Sequence, residues 1–173
     1  LTSFQRGWWP YEGRALMPLY DIQIEIARES GAAVAPEQVG LLVEAALVAE
    51  SVQPGAAVWL RISTDEELAE LNAVHRGQEG PTDVLSFPTQ GQDGWITPPG
   101  APVELGDIVI SWPRIVAQAA EQGHPAWHEL ALIVVHGCLH LLGHDHMLAS
   151  ERSLMWERQE QILGQLGIVV RLD

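Results

Sequence analysis

The segment HGCLHLLGHDH, residues 136–146, places three histidines four and six residues apart, with a glycine between the second and the third. Because residues four apart lie on one face of an α-helix, His136 and His140 would project side by side and reach the same ion. Gly143 tolerates the left-handed backbone that ends a helix, which allows His146 to approach the same point. Three imidazole ligands with an open fourth position are typical of a catalytic zinc site, and nickel or another imidazole-preferring ion is the alternative.

The other histidines near this segment have a different interpretation. A single histidine in an apolar helix is usually a core residue, and we assign His128 to that group and His124 to a loop or cap. The same interpretation fits His136, His140 and His146 poorly, since burying three rings together without a ligand leaves several nitrogens to satisfy. The metal interpretation is therefore preferred for these three.

A glycine follows the first histidine of the segment, and it argues against one class of hydrolase. The spacing H-x-x-x-H-x-x-G-x-x-H also occurs in zinc peptidases, which carry a glutamate after the first histidine as their general base. That position is Gly137 here, so peptide hydrolysis is disfavoured unless a carboxylate arrives from elsewhere. Asp145 is the nearest acid, and we interpret it as a partner of the ligands or as a turn residue.

The charge balance restricts the partners. The 173-residue chain has a net charge of −14, from nine arginines against 23 acidic residues, with no lysine. A broad basic surface for non-specific nucleic-acid binding is therefore excluded, and any RNA contact has to be local. The chain has a single cysteine, Cys138, and no apolar run that could span a bilayer. These features predict a soluble cytoplasmic protein, with neither DNA nor a membrane as a partner.

The hydrophobic periodicity along the chain predicts an α+β (mixed α/β) single domain. Polar and apolar residues alternate from residue 20, as in a half-buried strand, and apolar residues then recur at helical spacing behind Pro36. The whole pattern indicates about four strands and five helices, with the helices packed on one sheet and the metal site at a helix C-terminus and its following turn. The predicted strands are 20–29, 56–63, 84–87 and 105–111, and the predicted helices are 35–50, 65–75, 112–122, 125–142 and 149–166.

Two segments fall outside this pattern. Residues 1–16 are rich in aromatic side chains but lack the apolar core of a signal peptide, and we interpret them as an N-terminal extension upstream of a functional domain that covers residues 17–173. Residues 89–102 are rich in glycine and proline, which predicts a loop or flap within that domain.

The histidine segment resembles the hallmark of the YbeY family of bacterial rRNA-maturation endoribonucleases, H-G-x-L-H-L-x-G-[YH]-D-H, with His144 where tyrosine is frequent. Two further blocks agree with that family. LNAVHRGQEGPTDVLSFP is similar to its L-N-x-x-[YH]-R-x-x-x-x-T-D-V-L-S-F-P, and LGDIVIS is similar to its L-G-D-I-x-I strand. The three blocks follow the family's order and together span roughly residues 60 to 150, which makes the resemblance specific.

The resemblance implies a metal-dependent endoribonuclease that binds one zinc-like ion through His136, His140 and His146 and cleaves single-stranded RNA. It implies a role in 16S rRNA 3′-end maturation and ribosome quality control, with pre-rRNA as substrate and a small-subunit ribosomal protein or an assembly GTPase as partner. The functional arginine of the family's second block is Arg76 here. Arg76 and His136 are the predicted catalytic residues. Arg76 suits the scissile phosphate, since a guanidinium can bind two phosphate oxygens at once.

Other polar residues of the blocks are candidates for lining the same cleft. Thr82, Asp83 and Ser86 belong to this group, although capping the turn before the strand explains Thr82 and Asp83 equally well. Asp107, at the start of a strand, is equally ambiguous. No general base is evident, so attack by the ribose 2′-OH and attack by activated water both stay open.

Two alternative functions compete with RNA cleavage. One is a non-catalytic ribosome assembly factor whose metal is structural, and the other is a metallohydrolase that acts on a peptide or small ester. The three-histidine set favours catalysis, because three protein ligands leave a coordination position open.

Overall fold

A computed structural model describes residues 18–89, 102–144 and 149–169 of the chain. The predicted α+β fold is confirmed, since these ranges contain a four-stranded mixed sheet and five α-helices. The predicted extension at 1–16, the domain start at Met17 and nearly all of the predicted flap lie outside the described residues. The strands are β1 (Asp21–Ile26), β2 (Ala57–Ser63), β3 (Val84–Pro88) and β4 (Glu104–Ser111), and the helices are α1 (Pro36–Ala49), α2 (Asp65–Arg76), α3 (Trp112–Gln122), α4 (Ala126–Leu141) and α5 (Ala149–Gln165).

The sheet has the order β1-β2-β4-β3, in which β1, β2 and β4 run parallel and β3 pairs antiparallel with β4 at one edge. Helices α1 and α2 supply the connections out of β1 and β2, as parallel neighbours require. The pairing of β3 sets Ser86 opposite Ile108 and Phe87 opposite Asp107. Since side chains alternate between the faces of a sheet, Ser86 and Phe87 point to opposite sides of it.

The two faces of the sheet are covered unequally. The larger core packs α1, α3, α4 and α5 on one face, with Leu47, Ile108, Leu130 and Leu139 fully buried. On the other face α2 covers a small cluster built on Leu68, Leu85 and Val109. The edge strand β3 therefore lies between α2 on one side and the long apolar helix α4 on the other.

The sequence predicts a capping box of Thr64 with Glu67 at the start of α2 and a Ser111 cap at the start of α3, and both helices begin directly after these caps. The Thr64 hydroxyl accepts a hydrogen bond from the Glu67 amide at 3.4 Å, and Ser111 accepts one from the Arg114 amide at 3.4 Å. The Glu67 carboxylate binds Arg61 and Ser63. Glu67 therefore links α2 to the end of β2.

The first strand is shorter than predicted. It ends at Ile26, and a 3-10 turn at Arg28–Ser30 follows. The Ser30 hydroxyl donates to the Ala27 carbonyl at 2.7 Å, a local bond that competes with continued strand pairing.

Among the helices of the described ranges, none combines the length and the apolar character needed to cross a membrane.

Gly106 in β4 generates the first testable prediction. Its φ is +135°, and a Cβ at this position would overlap the Phe87 carbonyl of the neighbouring strand. We expect Gly106→Ala to lower the free energy of unfolding by about 2–4 kcal/mol, from backbone strain and overpacking together. Urea denaturation measures the change, with Gly123→Ala as the control.

The control separates the two causes. Gly123 ends α3 at a φ of +71° and has open space around it, so its replacement should cost only about 1–2 kcal/mol for the left-handed backbone. Equal losses for the two variants would contradict the close packing of β3 on β4.

Candidate metal centre

His136 and His140 lie one turn apart near the C-terminal end of α4, as their spacing predicts. Their rings meet edge to face, with centroids 4.6 Å apart and an interplanar angle of 80°. The two Nε2 atoms are 3.1 Å apart. The pair therefore presents one nitrogen from each ring to a single point.

The far nitrogen of each ring contacts a carbonyl oxygen. His136 Nδ1 lies 3.1 Å from the side-chain Oε1 of Gln159, and His140 Nδ1 lies 3.0 Å from the backbone oxygen of His144. A carbonyl oxygen can only accept a hydrogen bond, so both contacts match the tautomer in which Nδ1 carries the proton. In that tautomer the Nε2 atom of a neutral imidazole carries a lone pair.

The facing Nε2 atoms of this tautomer match the requirements of a bound cation. Imidazole nitrogen without a proton is a preferred ligand of zinc, nickel and copper. Two nitrogens bonded to one tetrahedral zinc at about 2.0–2.1 Å lie about 3.4 Å apart, close to the separation of these Nε2 atoms. The donor chemistry and spacing of the pair therefore fit a divalent metal ion.

The third predicted ligand, His146, lies outside the described residues, and so does Asp145. Within residues 18–89, 102–144 and 149–169, no three His, Cys, Asp or Glu side chains form a metal-binding group. The described part of the centre is thus the pair His136 and His140. The role of His146 as a ligand stays a prediction.

The turn after α4 is built around Gly143. Its φ is +88°, in the left-handed region, and its amide donates to the His140 carbonyl at 3.1 Å. The His144 amide reaches back to the Leu139 carbonyl at 3.0 Å, which completes a Schellman cap. This turn carries the His144 carbonyl to the His140 ring.

Gly137 permits the close approach of α4 to the sheet. A Cβ built on it would lie 3.1 Å from Ile108 Cγ2 and 3.3 Å from the Ser86 hydroxyl. The Ser86 hydroxyl donates to the Gly137 carbonyl at 3.3 Å. The position that holds a glutamate in the zinc peptidases therefore faces β3 and β4 here, where a long acidic side chain has no room.

A contact between His144 and Glu50 supports the turn that follows α4. His144 Nε2 lies 2.9 Å from the Glu50 carboxylate at the end of α1, and Arg158 Nε of α5 lies 3.7 Å from the other oxygen of that carboxylate. The Glu50 and His144 side chains are mostly buried, with 13% and 19% of their surface exposed. Glu50 thereby connects α1, the metal-site turn and α5.

Arg76 is the last residue of α2 and is exposed to solvent. Its neighbour His75 packs edge-on against Phe87, with ring centroids 4.9 Å apart. Ser86, on the opposite face of the same strand, contacts Gly137 beside His136. His75 therefore lies on one side of β3 and α4 on the other, and Arg76 follows His75 at the end of α2.

The remaining candidates of this region serve the turn before β3. Asp83 Oδ1 accepts from the Val84 amide at 2.8 Å and from the Thr82 hydroxyl at 3.1 Å, and its Oδ2 accepts from Gln118 at 3.2 Å. These bonds fit the capping interpretation of Thr82 and Asp83.

Asp107 lies in β4 opposite Phe87 of β3. Partial desolvation of its carboxyl raises the pKa of that group.

The other two histidines of this region form a separate cluster at the start of α4. His124 Nε2 lies 3.0 Å from the buried carboxylate of Glu129, and the His128 ring stacks 6.4 Å from the His124 ring. Burial is the main cause that raises the pKa of Glu129, and His124 opposes it. This cluster contains neither member of the metal-site pair.

Sequence reasoning missed the two residues that support the imidazoles, Gln159 and Glu50. Gln159 left a usable signal, because it falls between Met155 and Ile162 on the apolar face of α5, where a glutamine needs a polar partner. Glu50 left none, since its partner His144 is 94 residues away in the sequence.

The fold and the imidazole pair define a single-domain α+β protein with a candidate metal centre at the end of a helix. A family model described as endoribonuclease YbeY matches residues 24–167 of the chain. The chain therefore belongs to the YbeY family of endoribonucleases.

Relatives named endoribonuclease YbeY agree with this membership. The Chloroflexus aurantiacus relative is 45% identical over 147 residues, which cover 84% of this chain and 96% of the relative. The Roseiflexus castenholzii relative is 41% identical over 148 residues, covering 85% and 93%. The Geobacillus thermodenitrificans relative is 40% identical over 152 residues, covering 85% and 97%.

A solved structure shares the fold. The solution structure of TM1509 from Thermotoga maritima superposes with a TM-score of 0.54 at 24% sequence identity, and the match covers 84% of this chain and 91% of that one. The likeness extends over nearly the whole of both chains, so the α+β architecture described above is shared.

Cys138 lies between the two histidines and provides a test of the packing around them. Its side chain is fully buried, and burial raises the pKa of the thiol to about 12. Since the thiolate is the reactive form, we expect negligible reaction with a disulfide reagent at pH 8 in the folded chain and stoichiometric reaction in urea. Rapid labelling of the folded chain would mean that the α4 interface is open.

Proposed function

We propose that this chain is a zinc-dependent endoribonuclease that cleaves single-stranded RNA and acts in 16S rRNA 3′-end maturation and ribosome quality control. The observation that carries the metal dependence is the approach of the His136 and His140 Nε2 atoms to 3.1 Å. Family membership supplies the endoribonuclease activity. His146 is the proposed third ligand.

A divalent ion held by these imidazoles would supply Lewis-acid chemistry, which acidifies water and polarises a phosphoryl oxygen. The chain's own residues bind and orient. His136 and His140 would hold the ion through Nε2, with each Nδ1 in contact with a carbonyl oxygen. Each ring is therefore fixed in orientation before substrate arrives, which is the condition for preorganised catalysis.

Arg76 is the proposed phosphate-binding residue. It is exposed at the C-terminal end of α2, so its guanidinium is accessible to a large substrate. A guanidinium stays charged and can donate two parallel hydrogen bonds to one phosphate. We assign it to the scissile phosphate.

The negative charge of the chain affects how RNA approaches the site. A net charge of −14 opposes the approach of a polyanion, so free RNA should bind weakly. Docking on a small-subunit ribosomal protein or an assembly GTPase in the cytoplasm would raise the local concentration of pre-rRNA and offset this repulsion. RNA is thus the substrate, and a protein of the pre-ribosome is the docking partner.

The test combines metal content with RNA cleavage. We expect about one zinc per chain by elemental analysis, with the zinc lost in His140→Ala, as a single strong site requires. Cleavage of a single-stranded RNA should fall by at least about 100-fold in His140→Ala and in Arg76→Ala, because the first removes the ion and the second a charge-assisted phosphate contact. Arg76→Ala should keep its zinc.

Two matched variants serve as controls. His128→Ala removes a histidine of the same helix outside the pair, and Arg28→Ala removes another exposed arginine. Both should retain zinc and cleavage. Zinc without RNA cleavage in the wild type would favour the assembly-factor alternative, and cleavage of peptides but not RNA would favour the other metallohydrolase.

A further inference from the structure

We propose that Gln159 is a positioning residue of the metal centre, which holds the proton of His136 on Nδ1 and so keeps Nε2 unprotonated and able to bind the ion. The inference rests on the proposed metal site and assigns a role to a residue outside the histidine segment. Gln159 belongs to α5, and its Oε1 lies 3.1 Å from His136 Nδ1.

The surroundings of Gln159 favour this role over a solvated one. Only 3% of its surface is exposed, and its neighbours on the inner face of α5, Met155 and Ile162, are fully buried. A buried amide without a partner costs free energy, so the hydrogen bond to His136 accounts for the presence of a polar side chain there. The remaining glutamines of α5, Gln161 and Gln165, are exposed.

The tautomer matters because imidazole binds a metal only through a nitrogen that carries no proton. If the His136 proton moved to Nε2, the nitrogen that faces His140 would be blocked. His140 has a backbone acceptor for its own Nδ1 proton, the carbonyl of His144, which no side-chain substitution removes. The Nδ1 atom of His136 contacts the side chain of Gln159, a partner that a substitution can replace.

Three substitutions separate the hydrogen bond from the packing. Gln159→Leu keeps the approximate size of the side chain and removes the acceptor. Gln159→Glu keeps the acceptor and should preserve the Nδ1 proton, as carboxylate partners of metal-binding histidines do. Gln165→Leu makes the same chemical change at an exposed position of the same helix.

The first measurement is the protonation pattern of the His136 ring, read from long-range proton–nitrogen NMR spectra of the full chain, zinc-loaded and again after chelation. We expect the proton on Nδ1 in both samples of the wild type and of Gln159→Glu. In Gln159→Leu after chelation, Nε2 protonation should become populated. A wild-type ring protonated on Nε2 would overturn the proposal without recourse to any variant.

The second measurement is zinc affinity, by competition with a chromophoric chelator. Gln159→Leu should bind zinc about 10–100-fold more weakly than the wild type, the usual effect of losing such a partner. Gln159→Glu should bind close to the wild-type affinity, and Gln165→Leu should match the wild type. Unchanged affinity in Gln159→Leu, or an equal loss in Gln165→Leu, would refute the positioning role.

Neither readout requires RNA cleavage, so the outcomes remain separate from the test of enzymatic activity. A chain that binds zinc through a correctly protonated His136 but cleaves no RNA would retain this proposal and lose the endoribonuclease assignment. A chain that cleaves RNA with His136 protonated on Nε2 would retain the endoribonuclease assignment and lose this proposal. Thermal unfolding of each variant, compared with that of Gln165→Leu, identifies any loss that comes from misfolding.

Discussion

The close approach of two imidazole nitrogens is the constraint on which the rest of this site depends. The Nε2 atoms of His136 and His140 face one another at 3.1 Å, and each Nδ1 contacts a carbonyl oxygen. Two parts of the fold provide those oxygens: α5 brings Gln159 to one ring, and the turn at Gly143 brings a backbone carbonyl to the other. A carbonyl partner favours the proton on Nδ1, so the surrounding structure favours metal binding through Nε2.

Most of the fold could be predicted from the sequence, since its elements are locally consistent. Alternating isoleucines mark β1, Thr64 and Ser111 cap two helices, and Gly143 ends α4. The failures have local physical causes. Strand β1 stops early because the Ser30 hydroxyl donates to the Ala27 carbonyl, and the Glu67 carboxylate of the predicted capping box binds Arg61. Strand order also required the structure, because periodicity gives the buried face of a strand but not its neighbours.

The site was predictable only in part. Spacing alone indicated that His136 and His140 share a helical face, and the resemblance selected Arg76, which the structure shows exposed at the end of α2. The supporting contacts come from remote parts of the chain, Gln159 from α5 and Glu50 from α1, and no local pattern encodes such a pairing. Gly137 illustrates the same limit: its position beside His136 suggested a missing base, and only the packing against Ile108 explains why a glycine stands there.

The most direct test of this account is anomalous diffraction at the zinc edge from crystals of the full chain grown with zinc. The account predicts one strong anomalous peak between His136 and His140, about 2.0–2.1 Å from each Nε2, with both Nδ1 atoms still bonded to their carbonyl oxygens. A structure with the two rings in contact through a proton and no anomalous peak between them would contradict it, and so would a zinc ion bound at another place in the chain.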